Sequence, residues 1–213
     1  MIQIDDAGSG SLIGGTCIAA IRVETLEFYY DIIPIEYYRK DAFEAKCYLN
    51  KCEEIVFELL DNLKVNTQEE IKICRGYMFD TVRKKLMDRG YNITSTKIDD
   101  PLQTKVENAF QEYAIDLGLP VHYIKYTKYP FHFHRILRWV YADYEERKKL
   151  CKTGWKSWQK YGHLDVKTYS DILYNNTYNC LKCGKHIDKY SKVKVIEYVS
   201  NCPNVIYLHY NCK

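Results

Sequence analysis

The first fifteen residues constrain this chain more than any other stretch. Ile2-Gln3-Ile4 is a short β-branched strand signal, Asp5 and Asp6 follow at once, and a loop with Gly8, Gly10, Gly14 and Gly15 comes next. A strand that delivers two carboxylates into a glycine-rich turn suits a divalent cation beside a phosphate backbone. Glycine lets backbone amides approach a ligand closely, and carboxylates are the donors that magnesium or manganese prefers. A plain β-hairpin with an acidic strand end has the same pattern, and spacing alone does not choose between the two.

The rest of the N-terminal half supplies a sheet to hold that turn. Apolar runs at 2–5, 16–23 and 26–35, the last two joined by Glu24-Thr25, predict three strands in an antiparallel meander. Asp41 is placed to cap a helix over 42–63, whose Phe43, Cys47, Ile55, Phe57, Leu59 and Leu60 recur at helical spacing. A strand at 71–74 ends at Gly76; a helix at 79–87 carries Arg83, Lys84 and Lys85; an alternating strand covers 93–98. Asp99-Asp100-Pro101 then opens a helix that runs to 117 and is stopped by Gly118 and Pro120. A meander followed by right-handed β-α-β crossovers makes a mixed five-stranded α/β sheet covered by helices. Three regions are expected: 1–120 as this domain, 121–175 as a basic aromatic helical extension, and 176–213 as a small metal-binding module with a β-hairpin.

The element order and the string Ile4-Asp5-Asp6-Ala7-Gly8-Ser9-Gly10-Ser11-Leu12-Ile13-Gly14-Gly15 together resemble the ribonuclease-H-like superfamily. The string is similar to the opening of type 2 ribonucleases H, which begin Asp-Glu-Ala-Gly-Arg-Gly. The motif covers about the first twenty residues, and the element order extends the likeness to about residue 118. The resemblance implies a nuclease that cuts phosphodiester bonds with magnesium or manganese. It makes Asp5 the central metal ligand, sets Asp6 at the family's glutamate, and matches Asp99 or Asp100 to the late acidic position. Two departures stand out. Ser9 replaces the arginine of the glycine loop, and Arg75 stands where the family has an aspartate after the fourth strand. Asp80 and Glu107 are the substitutes within reach in sequence. Three or four clustered carboxylates would hold two ions about 4 Å apart, which activate water and stabilise the leaving oxygen.

Charge divides along the chain. Residues 1–120 hold 14 Lys+Arg against 21 Asp+Glu, residues 121–167 hold 11 against 4, and residues 168–213 hold 6 against 3. An acidic part can hold cations while a basic part attracts a polyanion. The basic part also holds all three tryptophans, Trp139, Trp155 and Trp158, interleaved with lysines and arginines and with tyrosines such as Tyr126. Cations pair with phosphates while aromatic faces stack on bases, so Lys152, Trp155, Lys156 and Trp158, with Ser9 of the loop, are the candidate nucleic-acid contacts. The alternative is a helical core with Phe133, Leu137, Val140 and Tyr141 facing inward and the lysines in water. His132 and His134 would share a face on a strand and could bind metal there.

The last segment carries the most specific motif. Cys180-Leu181-Lys182-Cys183-Gly184 is a zinc knuckle, and His209-Tyr210-Asn211-Cys212 completes four ligands across a hairpin of strands at 193–199 and 205–208. Such a set closes a tetrahedral structural zinc site, with His186 and Cys202 in reserve. The pattern resembles treble-clef fingers in part, because the helix that carries their second ligand pair is missing. Five more of the nine cysteines, Cys17, Cys47, Cys52, Cys74 and Cys151, sit singly in apolar or amphipathic segments and read as reduced, mostly buried thiols. No leader precedes the first strand and no apolar run is long enough to span a bilayer, so a cytoplasmic protein with no membrane partner is expected.

Two further functional classes are compatible with the same residues. One is a non-catalytic module that recognises nucleic acid or a protein. The other is a sugar-kinase-like phosphotransferase, disfavoured by the lack of a second glycine-rich phosphate loop.

Overall fold

The computed structural model describes residues 1–125 and 129–212 of the chain. The expected aromatic and basic positions Tyr126 and Lys128 lie outside the described residues. The N-terminal half is an α/β unit. Strands β1 (Ile2–Ala7), β2 (Thr16–Arg22) and β3 (Glu27–Ile33) form the meander, and α1 (Lys40–Glu44) and α2 (Cys47–Asn62) follow. Then come β4 (Glu70–Cys74), α3 (Asp80–Asp88), β5 (Asn92–Thr96) and α4 (Leu102–Asp116). The sheet order is β3-β2-β1-β4-β5, with β1, β4 and β5 parallel and β2 and β3 antiparallel to their neighbours. This is the expected mixed five-stranded sheet with β1 at its centre.

Alternation along β1 and β2 sorts the two faces. Ile2, Ile4, Ile18 and Ala20 pack under α2 and α3, whereas Ala7, Cys17, Ala19 and Ile21 pack under α4. The single helix expected over 42–63 is broken. Lys46 sits in the left-handed region, at φ 56°, between α1 and α2. Asp41 lies inside α1 and makes no side-chain cap. The break lets Phe43 turn inward to stack on Tyr48, with ring centroids 5.2 Å apart.

Beyond α4 the chain forms short helices: α5 (Val121–Ile124), α6 (Phe133–Tyr141), α7 (Tyr144–Arg147) and α8 (Lys156–Tyr161). Leu137, Val140 and Tyr141 face inward, joined by Trp139 and Ile136. His132 precedes α6 and His134 lies in its first turn, so the two do not share a strand face. Strand β6 (Lys167–Ile172) is not anticipated by the sequence pattern. It pairs with β9 (Lys192–Val199), which pairs with β10 (Pro203–His209), as an antiparallel sheet. Between them β7 (Tyr178–Asn179) and β8 (His186–Ile187) make a two-stranded knuckle. One apolar cluster runs from Leu12 and Ile13 through α6 to Val193, Ile206 and Leu208.

The glycine loop is the seam between these parts. Gly14 N–H donates to the Leu150 carbonyl at 2.9 Å, Lys152 N–H to the Leu12 carbonyl at 2.8 Å, and Gly154 N–H to the Tyr38 carbonyl at 2.9 Å. At Gly8, with φ +82°, a Cβ would stand 2.1 Å from the Phe110 ring of α4. At Gly15 it would stand 1.8 Å from the Ile33 carbonyl oxygen, a backbone atom that cannot swing away. Gly15→Ala is therefore expected to destabilise the fold by about 1–3 kcal/mol, while Gly10→Ala, with nothing within 4 Å, leaves stability nearly unchanged. Urea denaturation of the two variants checks the contrast.

Candidate metal centres

Asp5 and Asp6 lie in the last half of β1, just before Ala7 closes the strand, so both carboxylates stand beside the start of the glycine loop. The parallel register aligns Ile4 with Ile73, which brings the next pair, Asp5 and Cys74, level at the ends of β1 and β4. Asp5, Asp6 and Cys74 each offer a ligand atom within 4.8 Å of the others. The Cys74 thiol donates to the Asp5 carboxylate, and the Gly76 amide donates to Cys74 Sγ at 3.4 Å. The Asp6 amide donates to Asp5 Oδ1 at 2.9 Å, and Ser9 donates to the Asp6 carboxylate. Across the cleft, one turn and a half into α4, Glu107 faces the pair. The cleft holds about 380 Å³ and also includes Arg75, Lys97 and Gln103. A neighbouring hollow of about 360 Å³ shares Asp6 and Glu107 and reaches Ser9 and Phe131.

Burial dominates the electrostatics. Desolvation raises the Asp5 carboxyl above its usual range, against the hydrogen bond from Cys74, and the nearby charge of Glu107 adds to the rise. Desolvation likewise raises Asp6, opposed by the Ser9 hydrogen bond. The Cys74 thiol is pushed up to about 11, first by burial and then by its two carboxylate neighbours. A cation in the cleft would relieve all three, which is the electrostatic condition of an ion site.

The other acids expected here are engaged elsewhere. Asp99 pairs with Lys97 at 2.8 Å in the open. Asp100 accepts from the Thr104 amide at 3.1 Å and from its hydroxyl at 2.6 Å, capping α4. Neither lines the cleft: the cap engages Asp100, and Asp99 pairs with Lys97. Asp80 pairs with Arg83 on the surface of α3. The substitute that does face Asp5 is Glu107. Cys74 was missed, because its role depends on a strand register that the sequence does not display.

Lys152 is the second surprise. It is fully buried, and its ammonium donates to the Gly8 carbonyl at 2.7 Å and to Thr16 Oγ1 at 3.3 Å. The rings of Tyr38 and Trp155 lie 4.5 and 5.2 Å from it. Trp158 is buried against His163, Trp155 is half-buried, and only Lys156 of the expected contact stretch stands in water. Residues 152–158 therefore seat the loop instead of forming an open stacking face. Other basic groups of the extension are locally paired: Lys148 and Lys149 with Glu145 and Glu146, and Arg135 with the Tyr123 carbonyl.

At the other end, Cys180, Cys183, His209 and Cys212 bring four ligand atoms within 4.8 Å. This set is compatible with a metal ion such as zinc. Cys180 and Cys212 lie 3.7 Å apart, and Cys183 Sγ lies 3.4 Å from His209 Nδ1. The His209 Nε2 meets the His186 carbonyl at 2.9 Å, which leaves Nδ1 for the cluster. His186 and Cys202 stand outside it. Burial pushes the Cys180 thiol up, but the amides of Cys183, His209 and Lys182 outweigh it and hold the group at about 7. Arg147 fastens the knuckle to α6 by donating to the carbonyls of Leu181, Lys182 and Trp139 at 2.7–2.8 Å. A cleft of about 610 Å³ opens beside the cluster, between Tyr144, His163 and Lys194.

Comparison with protein-family models and with curated proteins finds no match. Among the described residues no helix is long and apolar enough to cross a membrane.

Burial lowers the Lys152 ammonium to about 7, with Asp6 partly opposing the shift, against about 10.4 for lysine in an unfolded chain. Between these values the unfolded state binds more protons, so folding becomes more favourable as pH rises. The cost of the charge is complete below pH 7 and is relieved towards the unfolded value. Lys152→Met removes this linkage. Urea denaturation at several pH values from 7 to about 10 should show the stability of the wild type rising relative to that of the variant.

Proposed function

We propose that the chain is a metal-dependent nuclease or nuclease-like protein of the ribonuclease-H-like type, acting on phosphodiester bonds of RNA or DNA. The observation that carries this reading is that Asp5 and Asp6 come close together and line one cleft with Glu107, near the end of a central strand. The sheet order β3-β2-β1-β4-β5 supports it. Asp5 and Asp6 would hold a divalent ion, with Glu107 facing them from α4. Such an ion polarises a phosphoryl oxygen and lowers the pKa of bound water. The residues of the chain do the rest. Ser9 orients the Asp6 carboxylate, Lys152 fixes the Gly8 turn, and the open space around Gly10 leaves room for a sugar–phosphate strand. Lys97 and Arg75 at the rim supply positive charge for that strand.

A specific observation favours a second reading, a non-catalytic module that binds nucleic acid or a protein. Cys74 ends β4 and Arg75 follows it into the cleft, so β4 brings a thiol and a cation but no third acid to complete a two-ion cage. The two readings part in one assay. With magnesium, manganese or cobalt(II) and labelled RNA, DNA and hybrid duplexes, the nuclease reading expects cleavage that Asp5→Asn reduces by about a hundredfold or more, on the order of the loss of a metal centre. Equal turnover by both proteins, or none by either while binding persists, favours the module.

We further infer that the terminal cluster holds a structural zinc ion. Three thiolates and one imidazole fill a tetrahedral shell and leave no position for substrate. Zinc here stabilises a small sheet whose strands β6, β9 and β10 have one largely exposed face. Cys212→Ser should lower the zinc content, measured by atomic absorption, and lower the melting temperature. Chelation of the wild type should have the same thermal effect.

A further inference from the structure

The cleft at the end of β1 mixes two kinds of donor. Asp5 and Asp6 provide oxygen, and Cys74 provides sulfur within the same 4.8 Å. The sulfur is held in position from two sides, by its hydrogen bond to Asp5 and by the Gly76 amide 3.4 Å away. An amide aimed at a cysteine sulfur is the outer-shell contact that supports a metal-bound thiolate. Neither carboxylate sits in a close ion pair: among the described residues, no lysine, arginine or histidine pairs with Asp5 or Asp6 within 4.0 Å, and the Lys152 charge acts on Asp6 from farther away. The nearby ammonium of Lys152 donates its hydrogen bonds to Gly8 and Thr16 instead.

We propose that Cys74 is a direct ligand of the ion in this cleft, and that the centre takes a borderline transition ion of the cobalt, zinc or iron(II) kind in preference to magnesium or calcium. The proposal rests on the metal-site reading above and narrows its ion. Magnesium demands an octahedral shell of oxygens and gains little from sulfur, whereas thiolate donors favour the later divalent ions. On binding, the ion forms a bond to Sγ, the S–H bond breaks, and the proton leaves to water.

The test uses the full-length chain with its terminal cluster left loaded. Cobalt(II) added to the wild type should give a thiolate-to-cobalt charge-transfer absorption that excess magnesium does not remove. Cys74→Ser should lack this band. The terminal cluster is the same in both proteins, so its contribution cancels in the difference. Asp5→Asn, which keeps Cys74, should also lack it, so the result does not depend on one variant folding; circular dichroism checks each. In Cys74→Asp the preference for cobalt over magnesium, from competition titration, should fall roughly tenfold or more. If cobalt binds in an Asp5-dependent way with no band and with no response to Cys74→Ser, the thiol is not a ligand, and the carboxylate site stands without it. If neither ion binds in an Asp5-dependent way, the thiol proposal and the metal-site reading fall together. Neither outcome depends on nuclease activity.

Discussion

The arrangement turns on one buried ammonium. A lone charge in the interior costs several kcal/mol, and Lys152 offsets that cost with the Gly8 carbonyl, the Thr16 hydroxyl, two aromatic faces and the nearby charge of Asp6. Each of these partners belongs to the turn that ends β1 or to the walls around it. The lysine therefore fixes a loop whose glycines would otherwise leave it loose. It also explains why residues 150–154 bond backbone to backbone with residues 12–14 and with Tyr38. The segment that carries the lysine is drawn into the seam, and Leu12 and Ile13 become part of the apolar cluster of the extension.

That seam sets the electrostatics of the acidic cleft. Asp6 sits on the face of β1 that looks towards Lys152, and Asp5 on the face that looks towards α4, because successive side chains of a strand alternate. Both carboxylates are desolvated, and both are raised. A charge deep in the protein is tolerable when an opposite charge is close, and Lys152 meets that condition for Asp6 only in part. Asp5 has Glu107 for its charged neighbour, which makes matters worse. On the α4 side the cleft opens to solvent, with Lys97 and Arg75 at its rim and no ion pair to Asp5.

Much of this was legible in the residues. The alternation of Ile2, Ile4, Ile18 and Ala20 defines two faces, and β-α-β connections permit few strand orders, so the sheet could be drawn before any contact was known. Four metal-type ligands in two short pairs at the C-terminus could be read the same way. What escaped depends on three-dimensional register and depth. Cys74 looked like one more buried thiol, because nothing local states that it ends level with Asp5. Lys152 looked like a solvated cation among aromatics, since a lysine is almost never fully buried unless paired. Asp99 and Asp100 carry the pattern of a helix cap and of a ligand equally well; the cap holds Asp100, and Lys97 pairs with Asp99. Strand β6 is exposed along its length, so it shows no apolar alternation to announce it.

The two donor sets also bear on how one chain could sort its ions. Three thiols and an imidazole are donors that suit zinc better than harder ions; the knuckle amides hold Cys180 at about 7, while burial and the neighbouring thiols push Cys212 up to about 12. The cleft at β1 presents two carboxylates and a thiol pushed up to about 11, first by burial and then by those carboxylates. An ion entering either set displaces protons from sulfur, and in the terminal set the one on Cys180 is lost more readily than the one on Cys212. The two sulfurs differ in what surrounds them: knuckle amides lower Cys180, whereas burial first and the carboxylates of Asp5 and Asp6 second raise Cys74.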